Sequence, residues 1–150
     1  MKSIRLFFPA IAFLLISTGI VAGRIVRPWS YQELLDKADL MVIATPTATN
    51  DTKEHGDHPD RIGQPVIGIE TGFAVSAVLK GDKMLKDFVL QHYRSDKVEV
   101  PNAPTFVSFD PAEKRTYILF LVREADGRYA PVVGQTDPGL GVKELVGVAR

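Results

Sequence analysis

The sequence predicts a mostly β fold, a small antiparallel β-barrel with one or two short helices, behind an N-terminal signal helix. Residues 72–82 form a long stretch in which apolar side chains recur with the period of a half-buried strand. The alternation slips once, at Val78 and Leu79, as a β-bulge would make it do. The apolar segments 39–45 and 87–94 are candidate partners on its two sides. A long, bent strand with a partner on each side favours a small closed barrel.

The first 23 residues have the order of a signal peptide. Lys2 and Arg5 form a positive start, residues 6–21 are almost wholly apolar, and small residues at 21–23 suit a cleavage site. The alternative is an uncleaved anchor, but an apolar run of about 16 residues is shorter than the ~20 that span a bilayer. We expect cleavage, a secreted or periplasmic protein, and no stable membrane insertion once the leader is removed.

The charge balance bears on the choice of partner. Of the 18 basic residues, Lys2 and Arg5 lie in the leader, so residues 24–150 carry 16 basic and 18 acidic residues, a net charge of −2. This near-neutral balance argues against a nucleic-acid or anionic-membrane surface. Residues 24–150 suffice for a single domain with one core. The chain has no cysteine, so its core and its sheet pairing must supply the stability without disulfides.

The segment that follows the leader predicts a helix and then a buried strand. Ser30 and Glu33 have capping-box spacing, and Leu34, Leu35 and Ala38 continue an apolar stripe. We therefore predict a short helix over residues 31–38 that covers an open end of the sheet. The nearly continuous apolar run at residues 40–45 predicts a strand buried on both faces.

Residues 46–63 are predicted to form the longest loop, because they are rich in Asp, Thr, His, Pro and Gly and show no periodicity. Such a loop is the first place to look for function, and few core contacts should depend on it. It holds His55, Asp57 and His58, which are candidate ligands for Zn²⁺ or another divalent ion. No helix fixes these residues on one face, and no third histidine lies nearby. We therefore favour a solvated polar loop and assign no metal, no cofactor and no catalytic residue.

The second half of the chain predicts three further strands. They cover residues 87–94, 116–122 and 129–133, and Asp126-Gly127 between the last two is a strong hairpin signal. Residues 95–104 form a polar loop, and a short closing element is expected within residues 134–150. The side chains expected to be buried together in the core are Val42, Ile43, Phe73, Val75, Ile118 and Phe120.

Three segments in this order carry a resemblance: Ala38–Ile43, Phe73–Gly81 and Tyr117–Leu121. Together they resemble the netrin-like and tissue-metalloprotease-inhibitor type of OB-fold barrel, over about residues 30–133. The resemblance implies an OB-like β-barrel. Members of the inhibitor family act through an N-terminal cysteine that binds the catalytic zinc. Neither that mechanism nor the family's disulfides can be carried over to a chain without cysteine.

The chain also resembles uncharacterised exported bacterial proteins that share its Leu-Lys-Gly-Asp and Asp-Gly-Arg-Tyr sequences, and this second resemblance implies no activity. Ser76, Ser95 and Ser108 lack the surroundings of an activated nucleophile, and the glycines fit no phosphate-binding pattern. We therefore expect an exported, non-catalytic binding or interaction module for an envelope or extracellular protein or ligand. Two alternatives stay open: a metal-dependent protein or hydrolase that uses residues 46–63, and a protease-inhibitor-like module without the N-terminal cysteine.

Overall fold

A computed structural model describes residues 26–59, 61–96 and 105–147. The predicted signal peptide, residues 1–23, lies outside the described residues, and so does most of the predicted loop at 95–104. Within the three described ranges, no helix combines the length and the apolar character that a bilayer span requires.

The described chain is built mostly of β-strands with one short α-helix, as predicted. Two 3₁₀ turns, at Pro111–Glu113 and Pro138–Leu140, lie in the connections of the second half. In chain order, the elements are α1 (Tyr31–Lys37), β1 (Leu40–His58), β2 (Arg61–Lys80), β3 (Asp87–Ser95), β4 (Tyr117–Arg123), β5 (Tyr129–Pro131) and β6 (Val142–Glu144).

The strands form one sheet in which five of them close a ring. The order is β1-β2-β3-β5-β4-β6, and β1 also pairs with β4. Every neighbouring pair is antiparallel except β3 and β5, which meet in parallel at the single pair Leu90 and Tyr129. The seam between β3 and β5 is therefore the least paired place in the ring.

The stretch at residues 72–82 occupies the end of β2 and has the two predicted neighbours, β1 and β3. Met41 pairs with Lys80 and Val42 with Val78, so Leu79 has no partner of its own on β1. This is a bulge at the point where the sequence alternation slips, which confirms that prediction.

Residues 46–63 do not form the predicted loop. β1 continues to His58 and β2 begins at Arg61, so the segment is the end of a long two-stranded hairpin. Two features make these strands hard to recognise in the sequence. The outer face is exposed and polar, and residues 52–54 bulge out opposite Gly68 alone, which destroys the period of two.

The helix begins as the capping box predicts. The Oγ atom of Ser30 accepts a hydrogen bond from the backbone N–H of Glu33 at 3.2 Å, and the Glu33 carboxylate accepts one from the backbone N–H of Ser30 at 2.9 Å. Leu34 and Ala38 are buried, whereas Leu35 is partly exposed. The helix therefore attaches to the sheet by a stripe narrower than the one predicted.

The main core lies on the inward side of the ring. Phe73 stacks on Phe88 with ring centroids 5.2 Å apart, and Phe109 meets the edges of Phe73 and Tyr117 at 5.0 and 5.1 Å. Such offset and edge-to-face contacts are the favoured geometries of aromatic pairs. The buried members of this core are Leu40, Val42, Ala44, Phe73, Phe88, Leu90, Phe109, Tyr117, Leu119, Leu121 and Val142.

A second, smaller core lies beneath α1 and corrects the prediction of one shared core. Phe120 is buried there with Leu34 and Ala38, and Ile118 is partly buried against them. Successive side chains of a strand point to opposite faces, so Leu119 faces the main core while its neighbours Ile118 and Phe120 face the helix. Of the six residues predicted to be buried together, Val42 and Phe73 are in the main core, Val75 packs at its margin and Ile43 is half-buried.

Candidate functional site

The three candidate metal ligands lie on one strand but do not converge. His55 and Asp57 are exposed on the outer face of β1, whereas His58 is only 2% exposed. The Nε2 atom of His58 lies 3.1 Å from the backbone oxygen of Gln135, and its ring packs against Tyr93. In the part of the chain that the structure describes, no group of three or more His, Cys, Asp or Glu side chains is arranged to hold a metal ion.

A polar cleft lies elsewhere, at the seam between β3 and β5. It encloses about 450 Å³, within the range of small-molecule sites. Because the two strands pair only at Leu90 and Tyr129, they separate beyond that point and leave a gap. We call this gap the Tyr93 cleft, and it is lined by Pro59, Gln91, Tyr93, Val122, Glu124, Ala130, Pro131, Val132, Gly134 and Gln135.

Gln91 organises the polar side of the Tyr93 cleft. Its Nε2 atom donates to a carboxylate oxygen of Glu54 at 2.9 Å and to the hydroxyl of Tyr93 at 3.1 Å. Across the gap, Nε2 of Gln135 donates to the backbone oxygen of Gln91 at 3.0 Å. These bonds engage both N–H groups of the Gln91 amide and one N–H group of the Gln135 amide, and they restrain the polar side chains. The Oε1 atom of Gln135 is buried and has no hydrogen-bond partner among the described residues.

The electrostatic surroundings of the cleft are acidic. Burial and then the nearby Glu54 carboxylate raise the pKa of Tyr93 above its usual range, and Glu124 adds to this effect, while Arg128 partly opposes it. Among the described residues, no lysine or arginine lines the cleft. The neighbouring Arg128 lies 2.6 Å from Asp126, 2.9 Å from Glu70 and 3.5 Å from Glu54, so carboxylates surround its positive charge.

A hydroxyl–imidazole pair lies inside the core and not in the cleft. Thr71 Oγ1 and His92 Nε2 are 2.8 Å apart, and both residues are completely buried. Burial lowers the pKa of His92 to about 4. The Nδ1 atom of His92 makes no well-formed hydrogen bond, although the nearby backbone of Val107 acts to raise the pKa of His92 and so opposes the effect of burial. A substrate cannot reach this pair, so the contact is structural and not catalytic.

The Tyr93 cleft could not be predicted from the sequence, because its polar lining residues come from three separate segments and form no motif. One weak signal was present. Gln91, His92 and Tyr93 place three consecutive hydrogen-bonding side chains in a predicted strand, where one face is expected to be apolar. Those side chains divide between the core and the cleft.

Comparison with known proteins adds no relative to this description. A scan against models of protein families gives no match to the chain, and a search of curated proteins also gives none. The functional argument therefore rests on the geometry of the cleft.

Proposed function

We propose that the protein is an exported, non-catalytic binding module that takes its ligand in the Tyr93 cleft. The observation that carries the proposal is the cleft itself. It is a cavity of about 450 Å³ that combines apolar walls with hydrogen-bonded polar groups, a combination found in small-molecule and side-chain binding sites. The partner is a protein or ligand of the cell envelope or of the extracellular medium, since the order of residues 1–23 favours export.

We also propose that the five-stranded ring is an OB-like β-barrel. The ring order β1-β2-β3-β5-β4 and the partly open seam at β3 and β5 support this proposal, because an OB fold is a five-stranded, partly open barrel. Fold alone does not determine what such a domain binds. The metal-dependent alternative is not part of the proposal, because His58 turns away from His55 and Asp57.

Site-directed photo-crosslinking tests the binding proposal. A benzophenone amino acid replaces Pro59, which is exposed and lines the cleft. In the control protein it replaces Glu113, which is exposed in the 3₁₀ turn at Pro111–Glu113 and does not line the cleft. Both proteins are irradiated in an envelope or extracellular extract of the source organism, and their adducts are identified by mass spectrometry.

We expect an adduct at position 59 that is absent at position 113. Adducts of equal yield at both positions, or none at position 59, would contradict a binding role for the cleft.

A further inference from the structure

We infer that the Tyr93 cleft binds an aliphatic cation, an ammonium or guanidinium group on a short apolar stem. This inference rests on the proposed binding function and names the class of ligand. It depends on three properties of the cleft: the hydrogen-bonding groups left over for a ligand, the local charge, and the apolar walls.

The group left for a ligand at the rim of the cleft is an acceptor. The Glu124 carboxylate is exposed and makes no ion pair with a described residue. Both N–H groups of the Gln91 amide are already engaged, with Glu54 and with Tyr93. Hydrogen bonds to a carboxylate are among the stronger ones, so a charged ligand N–H group gains most at Glu124.

The local charge selects a cation over an anion. Glu124 lines the cleft and Glu54 is bonded to Gln91 at its side, whereas the positive charge of Arg128 is paired with carboxylates. A ligand carboxylate would lie beside Glu124, and no lysine or arginine among the described lining residues would receive it. A ligand cation would meet the Glu124 carboxylate, which is a favourable partner.

The remaining walls fit the stem of such a cation. Val122, Ala130, Pro131 and Val132 line the cleft with apolar atoms, and the side chains of Ala130 and Pro131 are buried. An alkyl chain of about four carbons would cover apolar atoms that line the cleft and remove its own methylenes from water. Lysine and arginine side chains have this construction, and so do free aliphatic amines.

Titration with small probes tests the inference. Amide signals of the ¹⁵N-labelled protein are followed by NMR during addition of butylammonium, butylguanidinium, butyrate or butanol, which share one stem and differ in the polar end. We expect the two cations to shift the signals of Gln91, Tyr93 and Gln135, and butyrate and butanol to leave them in place. Binding of the cations should also weaken as the salt concentration rises.

Two substitutions at one exposed position sharpen the test. Glu124→Gln keeps the shape and removes the charge, so we expect Kd for butylammonium to rise about tenfold. Glu124→Lys should reverse the preference and admit butyrate. The control Glu113→Gln removes the same charge away from the cleft and should bind as the unchanged protein does.

The source of the cation is distinguished by a glycine-flanked lysine peptide with a free or an acetylated ε-amine. If the free-amine peptide binds more tightly than butylammonium, the ligand is a basic side chain of a protein. If the peptide binds more weakly than butylammonium, the ligand is a free aliphatic amine. Equal shifts with butyrate, no shifts with either cation, or unchanged affinity in Glu124→Gln would each overturn the inference. None of these outcomes alters the crosslinking result at position 59, so the binding proposal is judged separately.

Discussion

At the scale of single residues, two histidines are buried. His92 lies on a strand, as predicted, and is completely inside the core beside Thr71. His58 was expected in a solvated loop, and it is buried against Tyr93 and Phe106. Each imidazole is therefore part of the folded interior, and each has a consequence for stability that can be measured.

His92 makes the protein sensitive to acid. Its pKa in the folded protein is about 4, against 6.5 for the unperturbed group, so between these pH values the proton binds to the unfolded chain and not to the folded one. Stability from this group is complete above pH 6.5 and falls as the pH decreases toward 4, by about 3 kcal/mol in all.

The measurement is urea unfolding at pH 7, 5.5 and 4.5. His92→Gln keeps an amide next to Thr71 but does not titrate, so the difference in unfolding free energy between the two proteins should shrink as the pH falls. A constant difference would contradict the neutral, buried state of His92.

The two histidines of β1 should differ in their importance for stability. His58→Ala removes a buried ring and its contact with the backbone of Gln135, and we expect it to lower the free energy of unfolding by about 1–3 kcal/mol. His55→Ala, on the exposed face of the same strand, should change it by less than about 0.5 kcal/mol. Thermal or urea unfolding compares the two variants directly. Equal losses of stability would mean that the buried and exposed faces of β1 are wrongly assigned.

At the scale of elements, the sequence predicted most accurately where local chemistry is decisive. The capping box at Ser30 and Glu33 predicted α1, and the slip at Val78 and Leu79 predicted the bulge in β2. Local patterns did not predict the far half of the β1–β2 hairpin. Its pairing depends on β2 as a partner, which is a tertiary effect that overrides a loop-like composition.

The same hairpin changes the expectation that residues 46–63 are dispensable. Thr49 Oγ1 lies 3.0 Å from Thr71 Oγ1 and donates to the backbone oxygen of Phe109 at 3.1 Å, so the arm is tied to the core. Replacing residues 49–61 with a Gly/Ser linker would remove those bonds together with buried His58. Such a replacement is therefore expected to destabilise the protein rather than leave it unchanged.

The helix cap has a matched test. Ser30→Ala removes the side-chain acceptor for the Glu33 N–H and should cost about 1 kcal/mol. Ser108→Ala is the control, because Ser108 is exposed and makes no side-chain hydrogen bond with a described residue. Helix content by circular dichroism and unfolding by urea should both report the difference. Equal stability of the two variants would contradict a contribution from the cap.

At the scale of the whole molecule, the sequence predicted the secondary-structure content and the neighbours of the strands better than it predicted the candidate site. The mostly β fold follows from alternating apolar segments that any sheet must bury. The Tyr93 cleft arises only when Pro59, Gln91, Glu124 and Gln135 are brought together by ring closure. No pattern of spacing along the chain indicates that these four residues come together. A reader of the sequence alone would therefore look for function in residues 46–63.

Export is the prediction that concerns the whole chain. The order of positive, apolar and small residues in positions 1–23 predicts removal of the leader. Mass spectrometry of the protein from the extracellular or periplasmic fraction should show a new N-terminus near Gly23 or Arg24. Recovery of the protein with Met1 intact would favour the anchor instead.

The single parallel pair between β3 and β5 also has a consequence for the order of folding. The β1–β2 hairpin joins strands that are adjacent in sequence, and hairpins form within about 1–10 μs. Leu90 and Tyr129 come from distant parts of the chain and gain only one pair when they meet, so their contact should form after the transition state. In stopped-flow experiments, Tyr129→Ala should accelerate unfolding and leave the refolding rate nearly unchanged, with a φ-value near 0. A φ-value near 1 would instead place this seam in the folding nucleus.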